Sequence, residues 1–545
     1  MSETSVLRSS GTMALGTVVS RATGFLRDMV LVGAIGTQVF ADTYNVANTI
    51  PTIIYILLIG GALNAVFVPH LIRAMKQDAD GGEAYAQRLV SSIGVVLAAI
   101  TIAAVILAPL LVLMYAADYR KPDLSAEFDA ATTLARYLLP QIFFLGVFTM
   151  LGQVLNARGR FGPMMWTPIL NNAVVIVTGV VFIVVTRGKP VTAETVTSGE
   201  LRLLGIGTAL GVIVQALALI PVLRRTGFHF RTRFDLRGVG LGNAYRAAAW
   251  TVLFVLVNQI GYLVIVQLAT SAGAEAKTAG LDVGVGFTPY TKAHLIMLLP
   301  HAIVAVSVVT ALLPRMSRAA VDRNLDSVRA DLASGLRYIA VATVPAAFLL
   351  LVLGREISTT LYGLFTDTAN ASYIGYVLQA FALAVIPFSA QYLLLRGFYS
   401  LEDTRTPVRI NVWINVANVV FAVLAWRLLP LEWRVVGIAA GYGLAYVIGL
   451  AVTVRILGRR IGGLGGRSVL QFYALLAVAA AAAALPALVL ARGLTLSIGE
   501  GFGPSLIAML VGGALMIGLY LFFAARLRIT EVQSLIGLVT NRLSR

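Results

Sequence analysis

Long apolar segments dominate this 545-residue chain and limit what it can fold into. Fourteen of them are each long enough to cross the roughly 30 Å apolar core of a bilayer as an α-helix, beginning with 12–35 and 41–72. Hydrophobic residues make up 58% of the chain and charged residues only 12%, which excludes a soluble domain. Because lipid offers the backbone no hydrogen bonds, such segments become helices. The sequence therefore predicts an all-α polytopic membrane protein with about 14 transmembrane helices.

Basic residues are distributed unevenly between the loops, and this asymmetry predicts the orientation. Most of the 42 Lys and Arg residues fall on the side that holds the N-terminus. Positive loops remain in the cytoplasm, so we expect both termini there. The net charge of +17 then reflects topology and contact with anionic headgroups. We expect membrane lipids as partners and no nucleic acid.

A faint internal repeat predicts how the helices are grouped. Pro163 and Asn171 open the fifth apolar segment, and Pro407 and Asn415 open the eleventh with the same spacing. An offset of six helices preserves orientation, so helices 1–6 and 7–12 are expected to form two pseudo-symmetric lobes. The predicted division is an N-terminal lobe at 1–223, a cytoplasmic linker at 224–246, a C-terminal lobe at 247–460, two added helices at 461–528 and an amphipathic cytoplasmic tail at 529–545.

The first apolar segment carries charges that a simple anchor would not need. Each charge costs on the order of 3 kcal/mol at membrane depth on insertion scales. Helical spacing places these charges and their small polar neighbours on one broad face. Either the charges reach the headgroups from a helix end, or the face lines a water-filled cavity that receives an anion. We favour the cavity. The residues of this face are Ser20, Arg21, Thr23, Gly24, Arg27 and Asp28.

The second segment has a polar face of its own, and the eighth carries polar residues near its outer end. A polar face in a transmembrane helix lines a cavity or forms a hydrogen-bonded seam with another helix. Pro51 lies mid-segment and is expected to bend the helix. Lys292 and His294 in the eighth segment are candidates for binding, with an interfacial lysine as the alternative. The second-segment face consists of Asp42, Asn45, Asn48, Thr49, Thr52 and Tyr55.

The sequence lacks the residue patterns of metal sites, nucleotide-binding sites and common catalytic sites. The chain has no cysteine, and its four histidines show no metal-ligand spacing. Neither a Walker A sequence nor a kinase-type glycine loop is present, and no Ser-His-Asp pattern suggests an enzyme. We therefore predict a transporter without an ATPase motif, with no cofactor and no metal site.

Three motifs resemble a known family. The sequence SRATGFLRD at 20–28 is similar to the first helix of the MurJ (MviN) lipid II flippases, which belong to the MOP exporter superfamily. The sequence ADTYNVANTIP at 41–51 resembles their second helix. The sequence GFYSLEDTRTPV at 397–408 resembles the loop between their helices 10 and 11. The similarity extends over nearly the whole chain.

This resemblance implies a fold of fourteen helices and a substrate site. The family's central cavity uses arginines from helices 1, 2 and 8 with an aspartate on helix 2, and Arg21, Arg27 and Asp42 match. Tyr55 and Leu295 occupy the other two arginine positions, a departure that resembles actinobacterial members. The predicted substrate-binding residues are Ser20, Arg21, Arg27, Asp42, Asn45, Asn48, Thr52, Tyr55, Lys292 and His294, and those predicted to couple conformations are Gly24, Asp28, Asp42 and Pro51.

The resemblance also implies a function and a location. The expected substrate is lipid II, the undecaprenyl-pyrophosphate-linked disaccharide peptide, moved to the outer leaflet of the bacterial inner (cytoplasmic) membrane by alternating access. Its tail is expected in a groove at helices 13–14, and cell-wall synthesis proteins are expected partners. The alternatives are a flippase for another lipid-linked oligosaccharide, a multidrug exporter of the same superfamily, and a membrane glycosyltransferase or scaffold. Coupling to an ion and coupling to the membrane potential both stay open.

Overall fold

A computed structural model describes residues 3–58, 74, 80, 82–187, 189–228, 230–233, 241–529 and 531–533, with side chains omitted at 3–14 and 241–248. Helices account for the regular secondary structure of this part of the chain, which contains no β-strand. The predicted all-α membrane fold is confirmed.

Twelve helical stretches within the described residues are long and apolar enough to span a membrane, from Glu83–Ile106 to Phe502–Arg526. They correspond to the third to fourteenth apolar segments. The first two segments correspond to α1 (Glu3–Ile35) and α2 (Val39–Tyr55). Residues 59–73, into which the second segment was expected to continue, lie outside the described residues. The protein is thus multi-pass, and the count of fourteen stays a prediction.

The chain packs into two compact units, Met1–Ala274 and Glu275–Arg545. The boundary between them falls inside one long helix, α11 (Leu241–Thr278). Part of the segment 224–246 predicted as a linker, 229 and 234–240, lies outside the described residues. The lobe boundaries taken from the sequence repeat therefore stay a prediction, and the two units are described separately.

The first unit brings its helices together at small residues. A Cβ added at Gly179 would lie 2.8 Å from Val30 Cγ1, where α1 meets the helix that contains Gly179. A Cβ at Gly205 would lie 2.8 Å from Tyr137 Cβ, where the helices that contain these two residues meet. Glycine permits this approach of helix backbones in the absence of a hydrophobic driving force. After α1 and α2, the helices of this unit are α3 Glu83–Ile106, α4 Ala108–Tyr115, α5 Ser125–Leu138, α6 Gln141–Ala157, α7 Gly162–Trp166, α8 Pro168–Val185, α9 Ser198–Leu217, α10 Leu219–Arg225 and most of α11.

The second unit has two main apolar clusters. One joins the helices between residues 306 and 461, and Met316, Leu332 and Phe398 are among its fully buried members. The other packs the helices Gly466–Ile498 and Phe502–Arg526, the two added helices of the sequence analysis, against Leu325–Tyr362. The helices are α12 Phe287–Pro300, α13 Val306–Val321, α14 Leu325–Tyr362, α15 Thr368–Ser400, α16 Arg405–Leu428, α17 Arg434–Ile461, α18 Gly466–Ile498 and α19 Phe502–Arg526.

Each unit has a π-helical turn a few residues after a proline. After Pro300 the chain forms a π-helical turn at His301–Ala305. In the first unit α2 continues through Pro51, and residues 56–58 then adopt the π pattern. Of the predicted amphipathic tail, Ile529 and Val532 are buried against α14, α18 and α19. Most of that tail, 530 and 534–545, lies outside the described residues.

Candidate functional site

A single buried amide, that of Asn172 in α8, organises the polar face of α1. Its Oδ1 accepts a hydrogen bond of 3.2 Å from Arg27 Nη1. Its Nδ2 donates to the carbonyl of Ser20 and to Thr23 Oγ1, both at 3.0 Å. Gly24 packs beside this amide, since a Cβ added there would lie in van der Waals contact, 3.4 Å from the same Nδ2. Four residues of the predicted polar face of α1 thus lie against the side chain of Asn172.

The charges of this face differ in burial. Arg27 is half-buried, and its Nε has no hydrogen-bond partner among the described residues. Asp28 is buried, whereas Arg21 is exposed on the first unit. Burial of Arg27 and Asp28 fits a face enclosed by protein better than side chains that reach for headgroups. Arg21 and Arg27 are six residues apart on α1, so they lie about 120° apart around the helix axis and occupy adjoining stripes of the polar face.

Asp42 lies in the first turn of α2, and its side chain is only 1% exposed. The neighbouring Thr43 Oγ1 lies 3.1 Å from the hydroxyl of Tyr119, in a 3₁₀ turn outside the apolar segments. Burial raises the pKa of Tyr119, and the nearby carboxylates of Asp42 and Glu127 raise that pKa further. Glu127 is also buried. Two carboxylates therefore lie close to one phenol at this end of α2.

The remaining polar face of α2 serves two purposes. Part of it is a hydrogen-bonded seam, the alternative that the sequence left open. There the hydroxyl of Tyr55 lies 2.6 Å from Thr149 Oγ1. The hydroxyl of Tyr44, on the same side of α2, lies 3.0 Å from Thr208 Oγ1. The other part stays accessible, because Asn45 and Asn48 are half-buried and Thr52 is exposed. The contact between Tyr55 and Thr149 positions that ring, and its role in binding substrate stays a prediction.

Lys292 and His294 belong to α12 in the second unit. Lys292 is buried. The ring of His294 is surrounded by aromatic rings, with centroid distances of 6.3 Å to Tyr290, 5.3 Å to Phe381 and 5.6 Å to Tyr442. This surrounding favours packing as the function of His294. Whether either residue contacts substrate stays a prediction.

The sequence analysis did not select the residues that position the polar faces. The amide of Asn172 is the clearest example, although its three partners on α1 had been selected. A polar residue isolated in an apolar segment is costly in a membrane, so Asn172 within the segment 164–186 carried a usable signal. The remaining missed residues are Tyr119, Thr149 and Thr208. Among the described residues, no group of three or more His, Cys, Asp or Glu side chains could hold a metal ion.

The fold and this site define a class. Long apolar helices cross the membrane many times, and buried or half-buried polar and charged side chains lie within them. Such side chains cost free energy in a membrane, and a protein that served only as a scaffold would not need them. This arrangement is that of a helical membrane transporter.

The comparisons give the particular family. The model of the family described as lipid II flippase MurJ matches residues 31–511, and the chain belongs to this family. It is similar to a probable lipid II flippase MurJ of Haemophilus influenzae, with 26% identity over 437 residues that cover 78% of this chain and 80% of the relative.

Solved structures support the fold. A lipid II flippase MurJ in an inward closed conformation matches with a TM-score of 0.70 and 18% identity, over 94% of this chain and 99% of that one. An inward-facing multidrug resistance MATE family transporter of the MOP superfamily matches with a TM-score of 0.61 and 18% identity, over 82% of this chain and 96% of that one. At these identities the likeness establishes the fold alone.

Proposed function

We propose that this protein is a lipid II flippase, which moves undecaprenyl-pyrophosphate-linked disaccharide peptide from the inner to the outer leaflet by alternating access. The observation that carries the proposal is the family match over residues 31–511. The cell-wall precursor would be its substrate, and cell-wall synthesis proteins would be its partners. The protein would reside in a bacterial inner membrane with both termini in the cytoplasm, as the basic loops indicate.

The first unit supplies a chemical reason for an anionic substrate. Pyrophosphate carries several negative charges, and guanidinium groups bind phosphate oxygens with paired hydrogen bonds. Arg27 is held by Asn172 through Nη1, so its orientation is fixed before substrate arrives. Arg21 adds a second cation on the same helix. A fixed guanidinium loses less conformational entropy on binding than a free one.

The same pair of arginines separates this proposal from drug export. A multidrug exporter for cationic compounds would need an acidic, aromatic-lined cavity, whereas the polar face of α1 carries Arg21 and Arg27. The alternative of a flippase for another lipid-linked oligosaccharide shares the pyrophosphate chemistry and differs in the sugar. The substrate therefore has to be identified directly.

The experiment is depletion of the protein in its native host with measurement of precursor lipids by leaflet. If the proposal holds, lipid II accumulates in the inner leaflet within one generation and other lipid-linked oligosaccharides keep their distribution. Re-expression of the chain should restore the outer-leaflet pool. Accumulation of a different lipid-linked oligosaccharide, with lipid II unaffected, would refute the assignment.

A further inference from the structure

A polar recess lies between four helix ends in the second unit, far along the chain from the residues discussed above. The last turns of α14 and α18 and the first turns of α15 and α19 surround a small recess that is open to solvent and has room for about one water-sized group. The basic-residue pattern assigns these helix ends to the outer face of the membrane. Seven of the nine residues that line it carry a hydroxyl or a carboxylate group.

Glu356 of α14 is the residue in this recess that calls for a ligand. It is 6% exposed, and its Oε2 has no hydrogen-bond partner among the described residues. A buried carboxylate oxygen without a partner costs several kcal/mol, so such groups bind a proton, a cation or water. The oxygen belongs to a side chain that lines the recess.

Arg355, the positively charged neighbour of Glu356, already has other partners. Arg355 Nη2 lies 3.5 Å from Glu500 Oε1 across the recess. The guanidinium of Arg355 also lies over the ring of Tyr376, 5.5 Å from its centroid. Of the three charged side chains in the lining, Arg355 therefore offsets Glu500, and one negative charge, that of Glu356, is left over.

Hydroxyl groups complete the set of oxygens. Thr359 Oγ1, one turn along α14 from Glu356, lies 3.5 Å from Ser372 Oγ of α15. Thr368 of α15 and Ser505 of α19 line the same recess. Gly501 before α19 has φ of +122°, and a Cβ there would lie 3.9 Å from Thr368 Oγ1. A glycine thus lets the loop close over the hydroxyls.

We propose that this recess binds a small monovalent cation, with Glu356 as its charged ligand and the hydroxyls of Thr359, Thr368, Ser372 and Ser505 as neutral ligands. Carboxylate and hydroxyl oxygens are ligands of hard cations. A single surplus negative charge matches one positive charge, whereas divalent sites in proteins usually gather several carboxylates. The bound ion would tie α14 and α15 to α18 and α19. The proposal does not depend on the flippase activity.

The test uses the purified full-length protein in detergent and exploits its lack of cysteine. Thr495→Cys places a thiol on the recess, where the native hydroxyl donates to the carbonyl of Arg492 in its own helix. Ser497→Cys provides a thiol on an exposed turn of the same helix, outside the lining. Maleimide labelling is timed in sodium chloride and in N-methylglucamine chloride at equal ionic strength.

Sodium should slow labelling of the Thr495→Cys protein on the order of threefold at a few times its dissociation constant and leave the Ser497→Cys protein unchanged. Adding Glu356→Gln should abolish the effect, whereas adding Glu432→Gln, at an exposed acid on another loop, should preserve it. In a second measurement, the Glu356→Gln protein should bind about one equivalent of radioactive sodium less than the unmodified protein. This measurement needs no cysteine variant, so it remains informative if a cysteine variant folds poorly. Labelling insensitive to sodium, or sensitive only to pH or to calcium, would overturn the proposal, as would protection that survives Glu356→Gln.

Discussion

Asn172 of α8 and Arg27 of α1 are joined by a hydrogen bond of 3.2 Å, 145 residues apart in sequence. The same amide also binds the backbone of Ser20 and the hydroxyl of Thr23. Because an amide has one acceptor and one donor group, Asn172 can face α1 in only one orientation that satisfies all three contacts. It therefore sets both the position of α1 on α8 and the direction of the Arg27 guanidinium.

We expect Asn172→Ala to lower flipping without removing a substrate-contacting charge. Loss of a hydrogen bond to a charged group typically costs about 1.5–3 kcal/mol, which corresponds to a decrease of roughly 10- to 100-fold. The measurement is the flipping rate in proteoliposomes. Asn171→Ala is the matched control, since it removes the same amide one position away without a contact to Arg27. Equal rates in both variants would show that the Arg27 orientation does not matter.

The arginines themselves give a second prediction. Arg21→Ala and Arg27→Ala should each abolish complementation of a flippase-depleted strain while the protein still inserts. Lysine should rescue only partly at either position, because an ammonium keeps the charge but lacks the planar pair of donors. Arg202→Ala, at an exposed residue near the start of α9, should complement fully. Normal growth of the double alanine variant would rule out both arginines as essential pyrophosphate ligands.

Orientation can be tested directly, again because the chain has no native cysteine. Cysteines at Ser125 and Ser198, both exposed, should react with a membrane-impermeant maleimide added to intact cells. A cysteine at Thr232, exposed in the segment after α10, should react only after permeabilisation. Expression and total labelling in detergent are the controls. The reverse pattern would invert the topology and contradict the placement of both termini in the cytoplasm.

The sequence predicted the fold well because lipid allows few alternatives. Apolar length alone located the third to fourteenth helices, including the alanine-rich α18, since each had to satisfy its own backbone. The site was harder to predict from the sequence than the fold. Helical spacing placed Arg27 and Gly24 on one face, but it could not show that Asn172 meets them, because that contact depends on how α8 packs. For the same reason the spacing left open whether Tyr55 faces a cavity or a seam between helices, and the contact of its hydroxyl with Thr149 became visible only in the structure.

A loop between α15 and α16 provides a prediction about pH. Burial of Asp403 would raise the pKa of its carboxyl, but hydrogen bonds from Thr406 and Arg460 outweigh burial and hold that pKa below its usual value. The carboxylate also accepts the backbone N–H groups of Arg405 and Thr406 at the start of α16. A lowered folded-state pKa stabilises the fold above the pKa of the unfolded chain, and this stability disappears as pH falls through the folded value.

We therefore expect Asp403→Asn to lower the thermal midpoint of the purified protein at pH 7, by about 1–3 °C for a lost helix cap and ion pair. The difference from the unmodified protein should persist while the pH stays above the unfolded-state pKa of about 3.9, and it should shrink as the pH falls from there through the lowered folded-state pKa of Asp403. Asp322→Asn, at an exposed aspartate at the end of α13, should show no such pH-dependent difference. A gap that stays constant from pH 7 to pH 3 would contradict an ionic role.

The last prediction concerns the energy source. We expect transport to draw on a gradient, the membrane potential, or the supply and removal of substrate. A charge that moves through the field couples to the potential at roughly 2.3 kcal/mol per 100 mV. Among the charges on α1 and α2, Arg21 is exposed and Asp42 is enclosed near Tyr119. In these environments Arg21 would be free to move, and Asp42 would act as a latch that holds an arginine in one conformation.

We expect dissipation of the potential to stop flipping, and ATP depletion at fixed potential to leave it running at first. Asp42→Asn should slow turnover more than it weakens substrate binding, because a carboxylate would repel pyrophosphate and is better suited to hold an arginine in one conformation. Proteoliposomes with an imposed potassium diffusion potential measure the rate, and binding of lipid II to the detergent-solubilised protein measures affinity. Asp129→Asn, an exposed aspartate of α5, is the matched control and should change neither quantity. Equal rates with and without the potential would exclude the coupling, and an Asp42→Asn protein that loses affinity alone would exclude the latch.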